Sequence, residues 1–155
     1  MKGLSLSLVV AVCAGLIGTG CGGDDSATGS PSTEAKEVLG PKPKIPTGPH
    51  SSTLQVRDLK VGTGEVVKKE DVVAVHYVAG IYETGVEIES AWVPNTPLGL
   101  TISPKGVLRG WYEGLPGARI GGRRELVFPT TKEDMPPGSG PDETLVYVVD
   151  VVGIE

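Results

Sequence analysis

From about residue 53 to the C-terminus the chain alternates between apolar and polar positions. The clearest case is residues 71–83. Val73, Val75 and Tyr77 fall on one side there, and Val72, Ala74 and His76 on the other. A period of two predicts a strand. Residues 54–60 alternate more weakly and predict another, followed by a turn at 61–65. Thr84-Gly85 predicts a hairpin turn, after which 86–90 continue as a strand into a proline-containing loop at 92–97. Leu98, Leu100 and Ile102 alternate again, and 103–106 reads as a turn. Residues 109–115 predict a short helix stopped by Pro116 and Gly117. Gly121-Gly122 turns into a strand at 123–128, where Glu125 and Val127 alternate with Leu126 and Phe128. Residues 135–141 form a Pro/Gly loop. Residues 144–154 close the chain as a long strand with Leu145, Tyr147, Val149 and Val151 on one face. Many strands with one short helix predict an α+β domain over 53–155, a curved antiparallel sheet wrapped on that helix.

The first third of the chain follows different rules. Lys2 supplies a positive start, and residues 4–17 form an apolar run too short for a comfortable membrane span. Gly18-Thr19-Gly20-Cys21 follows, and Gly22-Gly23-Asp24-Asp25 comes at once after it. Small residues directly before a Cys resemble a bacterial lipobox, in which the Cys is diacylated and becomes the mature N-terminus. Gly18 stands where the usual Leu would be. The alternative is an ordinary signal peptide with an incidental Cys. The expected organisation is a signal peptide at 1–20, lipidation at Cys21 and a disordered Pro/Gly/Ser-rich tether at 21–52. The tether's composition cannot bury enough surface to offset its ordering entropy, and PKPKIPTGP within it predicts extended, polyproline-like chain. Cys13 would leave with the signal peptide, so Cys21 alone remains and no intrachain disulfide forms. The expected location is outside the cytoplasm, lipid-anchored to the cell membrane.

Composition narrows the class. The chain has 155 residues, 39% hydrophobic and 5% aromatic, so the core is expected to be aliphatic. A formal net charge of -5 without basic runs argues against nucleic acid as a partner. No His, Cys or Ser is placed to suggest a catalytic triad or a metal site, and no cofactor is expected.

Five segments then occur in order: Val75-His76-Tyr77, the stretch 85–92 ending in EIESAW, VLRGWYEG at 107–114, GGRRELVFP at 121–129 and ETLVYVVDVV at 143–152. Together they resemble the FKBP-type peptidyl-prolyl isomerases over nearly the whole domain. The resemblance implies an FKBP-like fold and a prolyl cis/trans isomerase acting on proline-containing polypeptides as a monomer. It implies Trp111 as the floor of the proline pocket, since a large flat ring buries much apolar area at little rotamer cost. Val107 and Leu108 match the apolar pair beside it, the Leu108 position offering its backbone N–H to a ligand carbonyl. Tyr77 matches a wall tyrosine, and Tyr147, Ile88 and Leu98 fall where the family has Phe. Glu89 falls where the family has an orienting Asp. Without the resemblance, Tyr77 and Trp111 are equally core residues, Glu89 a surface carboxylate, and His76 structural or exposed.

The sequence also departs from the family. The loop 129–142 reads PTTKEDMPPGSGPD and carries no Tyr where the family has one that bonds the ligand. Three functions therefore stand: a catalyst, a non-catalytic proline-segment binder or chaperone on the same fold, and a structural envelope lipoprotein. The altered rim predicts weak macrolide binding.

Overall fold

The computed structural model describes residues 40–155 apart from 95 and 133. The expected signal peptide 1–20, the lipidation site Cys21 and the tether as far as residue 39 lie outside the described residues.

Among the described residues six strands and one helix follow in chain order: β1 Gln55–Lys60, β2 Val72–Ile81, β3 Glu87–Ser90, β4 Leu98–Thr101, α1 Arg109–Gly114, β5 Arg123–Pro129 and β6 Thr144–Ile154. They form one antiparallel sheet in the order β1-β5-β6-β2-β3, with β4 also on β2. β4 pairs with the start of β2, Val72 to Val75, and β3 with its later part, Val78 to Gly80. The longest strands, β2 and β6, sit side by side at the centre. The element types match those predicted from alternation, with ends displaced by a residue or two.

One face of the sheet wraps the helix. Val73, Val75, Tyr77, Leu126, Phe128, Tyr147, Val149 and Val151 share a single core with Trp111 and Leu115. The opposite face buries Val78, Val127, Val146 and Val148. His76 belongs to that second set and is fully buried. Its Nδ1 lies 3.2 Å from the Ala91 carbonyl, and its ring packs against Trp92. The expected alternative of an exposed His76 is thereby corrected.

A helix of six residues cannot hold itself together, so α1 depends on its neighbours. Gly110 and Gly114, one turn apart, bring its backbone onto β5. A Cβ at Gly110 would collide with the Phe128 ring, and one at Gly114 would lie 2.7 Å from Leu126 Cδ2. Arg124 of β5 fastens the helix end. Its buried Nη1 donates at 2.9 Å to the Gly114 carbonyl, which the end of α1 leaves without an intrahelical partner, and at 3.1 Å to the Pro116 carbonyl just beyond the helix. The same guanidinium forks onto Asp58 of β1 at 2.6 and 2.9 Å. These hydrogen bonds outweigh desolvation and hold the Asp58 carboxyl below the usual carboxylate range. Gly117, at φ 90°, then turns the chain away.

The segment just before β1 departs from expectation. Residues 40–51 were expected to be tether, but they lie against the domain. Gly48 N–H donates to the Tyr82 carbonyl at 3.0 Å, and the Ser51 N–H donates to Thr144 Oγ1 at 2.9 Å. Ser51 is buried. Prolines and glycines suppress periodicity, so packing contributed by single residues such as Ile45 leaves no pattern to detect.

Candidate functional site

Trp111 lies on the inner face of α1, 3% exposed. Leu108 opens the helix: its carbonyl accepts from the Trp111 and Tyr112 amides at 2.9 and 3.0 Å. Among the described residues none accepts from the Leu108 N–H. Tyr77 from β2 and Tyr147 from β6 meet the Trp111 ring edge-on, at centroid distances of 5.2 and 5.4 Å. Phe128 from β5 stacks on Tyr147 at 5.7 Å. Such edge-to-face contacts are favourable ring geometry and leave little freedom to tilt.

One polar group is turned into this nest. The Tyr77 hydroxyl donates to Glu89 Oε1 at 2.7 Å. Burial, reinforced by that hydrogen bond and the nearby carboxylate charge, pushes the Tyr77 phenol far above its usual range. Burial, with the Glu89 charge behind it, does the same to Tyr147. Both phenols therefore stay protonated at any physiological pH.

Above Trp111 opens a cleft of roughly 490 Å³, a size that suits a peptide side chain and its flanking backbone. Six residues expected from the sequence line it: Tyr77, Glu89, Val107, Leu108, Trp111 and Tyr147. Two do not. Ile88 packs against the core, with Gly138 over its Cβ. Leu98 sits opposite Val75 at the outer end of β4 and is 43% exposed. The residue of β4 that reaches the cleft is Leu100. Leu98 and Leu100 share a face, so alternation cannot choose between them; the β2–β4 register does.

The rest of the rim comes from loops. Pro104, Lys105 and Gly106 border the cleft before α1, and Asp134, Pro136 and Pro137 border it from the loop before β6. None of these was singled out in the sequence, because loop residues carry no period that fixes their direction. Among the described residues no group of three His, Cys, Asp or Glu is placed to hold a metal ion.

A small antiparallel sheet closed on one short helix, with an indole at the bottom of an open cleft, defines a class that the comparisons with known proteins identify. A family model for FKBP-type peptidyl-prolyl cis-trans isomerase matches residues 63–152. The FK506-binding protein of Streptomyces anulatus is 35% identical over 119 residues, covering 74% of this chain and 96% of its own length. A probable FK506-binding protein of Corynebacterium glutamicum is 36% identical over 115 residues, covering 72% and 96%. The crystal structure of FkpA from Escherichia coli superposes with a TM-score of 0.57 at 31% identity, covering 66% of this chain and 48% of that one. The chain belongs to the FKBP-type peptidyl-prolyl isomerase family, and its enzyme class is that of a prolyl cis-trans isomerase acting on proline-containing substrates.

Proposed function

We propose that the domain accelerates Xaa-Pro rotation in exported polypeptides by stripping water from the prolyl amide in the Trp111 cleft. The buried indole, walled edge-on by Tyr77 and Tyr147, is the observation that carries this reading. A prolyl amide resists rotation by ~18–20 kcal/mol because resonance keeps it planar. The planar form is more dipolar than the twisted one, so an apolar surround raises the ground state relative to the transition state. A reduction of about 5 kcal/mol corresponds to three to four decades in rate. Rotation consumes no proton, and the site suits that: its hydroxyls are held protonated.

Each group has a role in this scheme. The pyrrolidine ring rests on Trp111, beside Val107 and Leu100. The Leu108 N–H donates to a substrate carbonyl and fixes the peptide's direction. Glu89 holds the Tyr77 ring upright through its hydroxyl. Ile88 and Leu98 have no contact with substrate.

The cellular setting rests on sequence. Lys2, the apolar run at 4–17 and Cys21 support export and lipid anchoring to the cell membrane, with the domain outside the cytoplasm. Replacing Cys21 with Ser in cells fed labelled palmitate tests this: label should vanish, and retained label overturns the assignment of Cys21.

One observation favours a second reading. The rim is built largely of Pro, Lys and Asp residues, and the loop 129–142 has no Tyr. Capture of proline segments with little turnover then becomes the alternative function. A Pro peptide that perturbs Trp111 fluorescence but gains no exchange rate would favour it. The same rim implies weak FK506 binding; tight binding in a Trp111 fluorescence titration would contradict that.

A further inference from the structure

Residues 40–51 form a strap whose contacts from Lys42 to Gly48 fall on one target, while His50 is shared between Glu83 and Thr144 Oγ1, 3.1 Å from each. Lys42 Nζ meets Glu87 Oε1 at 2.6 Å. Ile45 sits on Gly80 so closely that a Cβ there would lie 2.7 Å from its Cγ2. Thr47 lies over Gly85 in the same way. Gly48 donates to the Tyr82 carbonyl, and His50 Nδ1 lies 3.1 Å from Glu83 Oε1. Those partners all belong to the hairpin that joins β2 to β3. The strap's end is pinned separately, where Ser51 bonds Thr144 of β6.

That hairpin contains an irregularity. Val78 pairs with Ser90 and Ala79 with Glu89, but Gly80 pairs with Glu87. Ile88 is therefore an extra residue. Bulges re-aim the side chains around them. Here Ile88 packs against the core and its exposed neighbour Glu89 accepts from the Tyr77 hydroxyl at the cleft, while Glu87 meets Lys42. The strap residue Ile45 rests on the very glycine where the register slips.

We propose that the strap is a positioning element of the cleft: Ile45 on Gly80 and Lys42 on Glu87 hold the β2–β3 bulge in the register that aims Glu89 at Tyr77. The proposal rests on the role given to Glu89 above. Ile45 is its principal residue, because the Lys42–Glu87 pair is exposed on both sides and exposed pairs contribute little alone. Gly80 is what lets Ile45 approach the backbone.

The test is kcat/KM for an Xaa-Pro peptide with the full chain, in a cycle of Ile45→Ala, Glu89→Ala and the double variant. Glu89→Ala removes the acceptor of the Tyr77 hydroxyl. Ile45→Ala should lose about fivefold in kcat/KM, Ile45→Val should restore the rate, and Lys44→Ala, on an exposed strap position, should equal the parent. In the Glu89→Ala background, Ile45→Ala should cost less than about twofold more, because both changes remove one device. Losses that multiply in full would make the strap a structural brace only and overturn the proposal. If Ile45→Ala does not fold, the charge-reversed Lys42→Glu should lose about twofold, and the swap with Glu87→Lys should restore it. Failure of the swap to restore the rate overturns the proposal. A Glu89→Ala enzyme at the parental rate also overturns it, leaving nothing to position, whereas the cleft floor is judged separately by Trp111→Ala.

Discussion

The floor and the rim of the cleft are built by opposite means. Trp111 of α1 is the floor, Tyr77 of β2 and Tyr147 of β6 wall it, and Phe128 of β5 stacks behind Tyr147, so each ring is held by another. The rim is two loops rich in Pro and Gly, with charges at Lys105 and Asp134 and an exposed Met135 beside them. Regular elements place a side chain to within a fraction of an ångström through many contacts. Loops place it through few. The floor therefore offers a shaped, rigidly held surface, and the rim a looser one.

If this contrast is right, disturbing the support beneath the floor should have the largest effect. Arg124→Ala removes the donors to the Gly114 and Pro116 carbonyls and the partner of Asp58. Unmade buried hydrogen bonds are costly, and a loss of about 3 kcal/mol of stability is expected in urea unfolding. Activity should fall with it, since α1 carries Trp111. A loss below about 1 kcal/mol would mean that the helix is held by packing alone.

Removing the floor itself comes next. Trp111→Ala should lower kcat/KM about a hundredfold, equivalent to roughly 2.7 kcal/mol of transition-state stabilisation. The wall should matter less: Tyr77→Phe keeps the ring and removes only the hydrogen bond to Glu89. About a tenfold loss in kcat/KM is expected, with stability nearly unchanged. Equal losses for the two variants would erase the distinction between surface and orientation.

Acid should separate the scaffold from the site. The Asp58 carboxyl is depressed by hydrogen bonds from Arg124, against desolvation. Burial acts to raise Glu83, but hydrogen bonds from Thr144, its own backbone and His50 outweigh it and leave it depressed too. A depressed carboxyl favours the folded state fully above its unfolded value near pH 4 and loses that contribution as pH falls through its folded value. Unfolding free energy should therefore decline below about pH 4, and Asp58→Asn should flatten part of that decline. The protonated phenols of the cleft give no titration between pH 5 and 8, so kcat should be flat there.

Strand β4, at the side of the cleft, should respond least. Leu98→Ala should leave kcat/KM within about twofold, because Leu98 is outside the cleft, while Leu100→Ala should raise KM by a fewfold. Reversed effects would return Leu98 to the site.

The same contrast explains what the sequence reveals. Alternation in β2 and β6 places Tyr77 and Tyr147 each on one face of its strand, and Pro116 with Gly117 marks the end of the helix that carries Trp111. Those features follow a period or a stop signal, so the fold is legible, whereas the packing of Gly110 and Gly114 onto β5 shows only in the structure. Leu98 and Leu100 share a parity that only pairing with β2 resolves. Ile88 turns inward through a bulge that a two-residue period does not express. Asp134 and Pro137 reach the cleft by loop path alone. The strap is hidden for the same reason: Ile45 acts as a single apolar residue among prolines.

The central claim is that the buried indole at the base of the cleft does the work. Magnetisation-transfer NMR on an Xaa-Pro peptide, which follows cis/trans exchange directly, tests it with the parent and Trp111→Ala proteins side by side. The account predicts exchange accelerated far above the spontaneous rate by the parent, and about a hundredfold weaker catalysis by a folded Trp111→Ala. Equal acceleration by both proteins, or none by the parent, would contradict it.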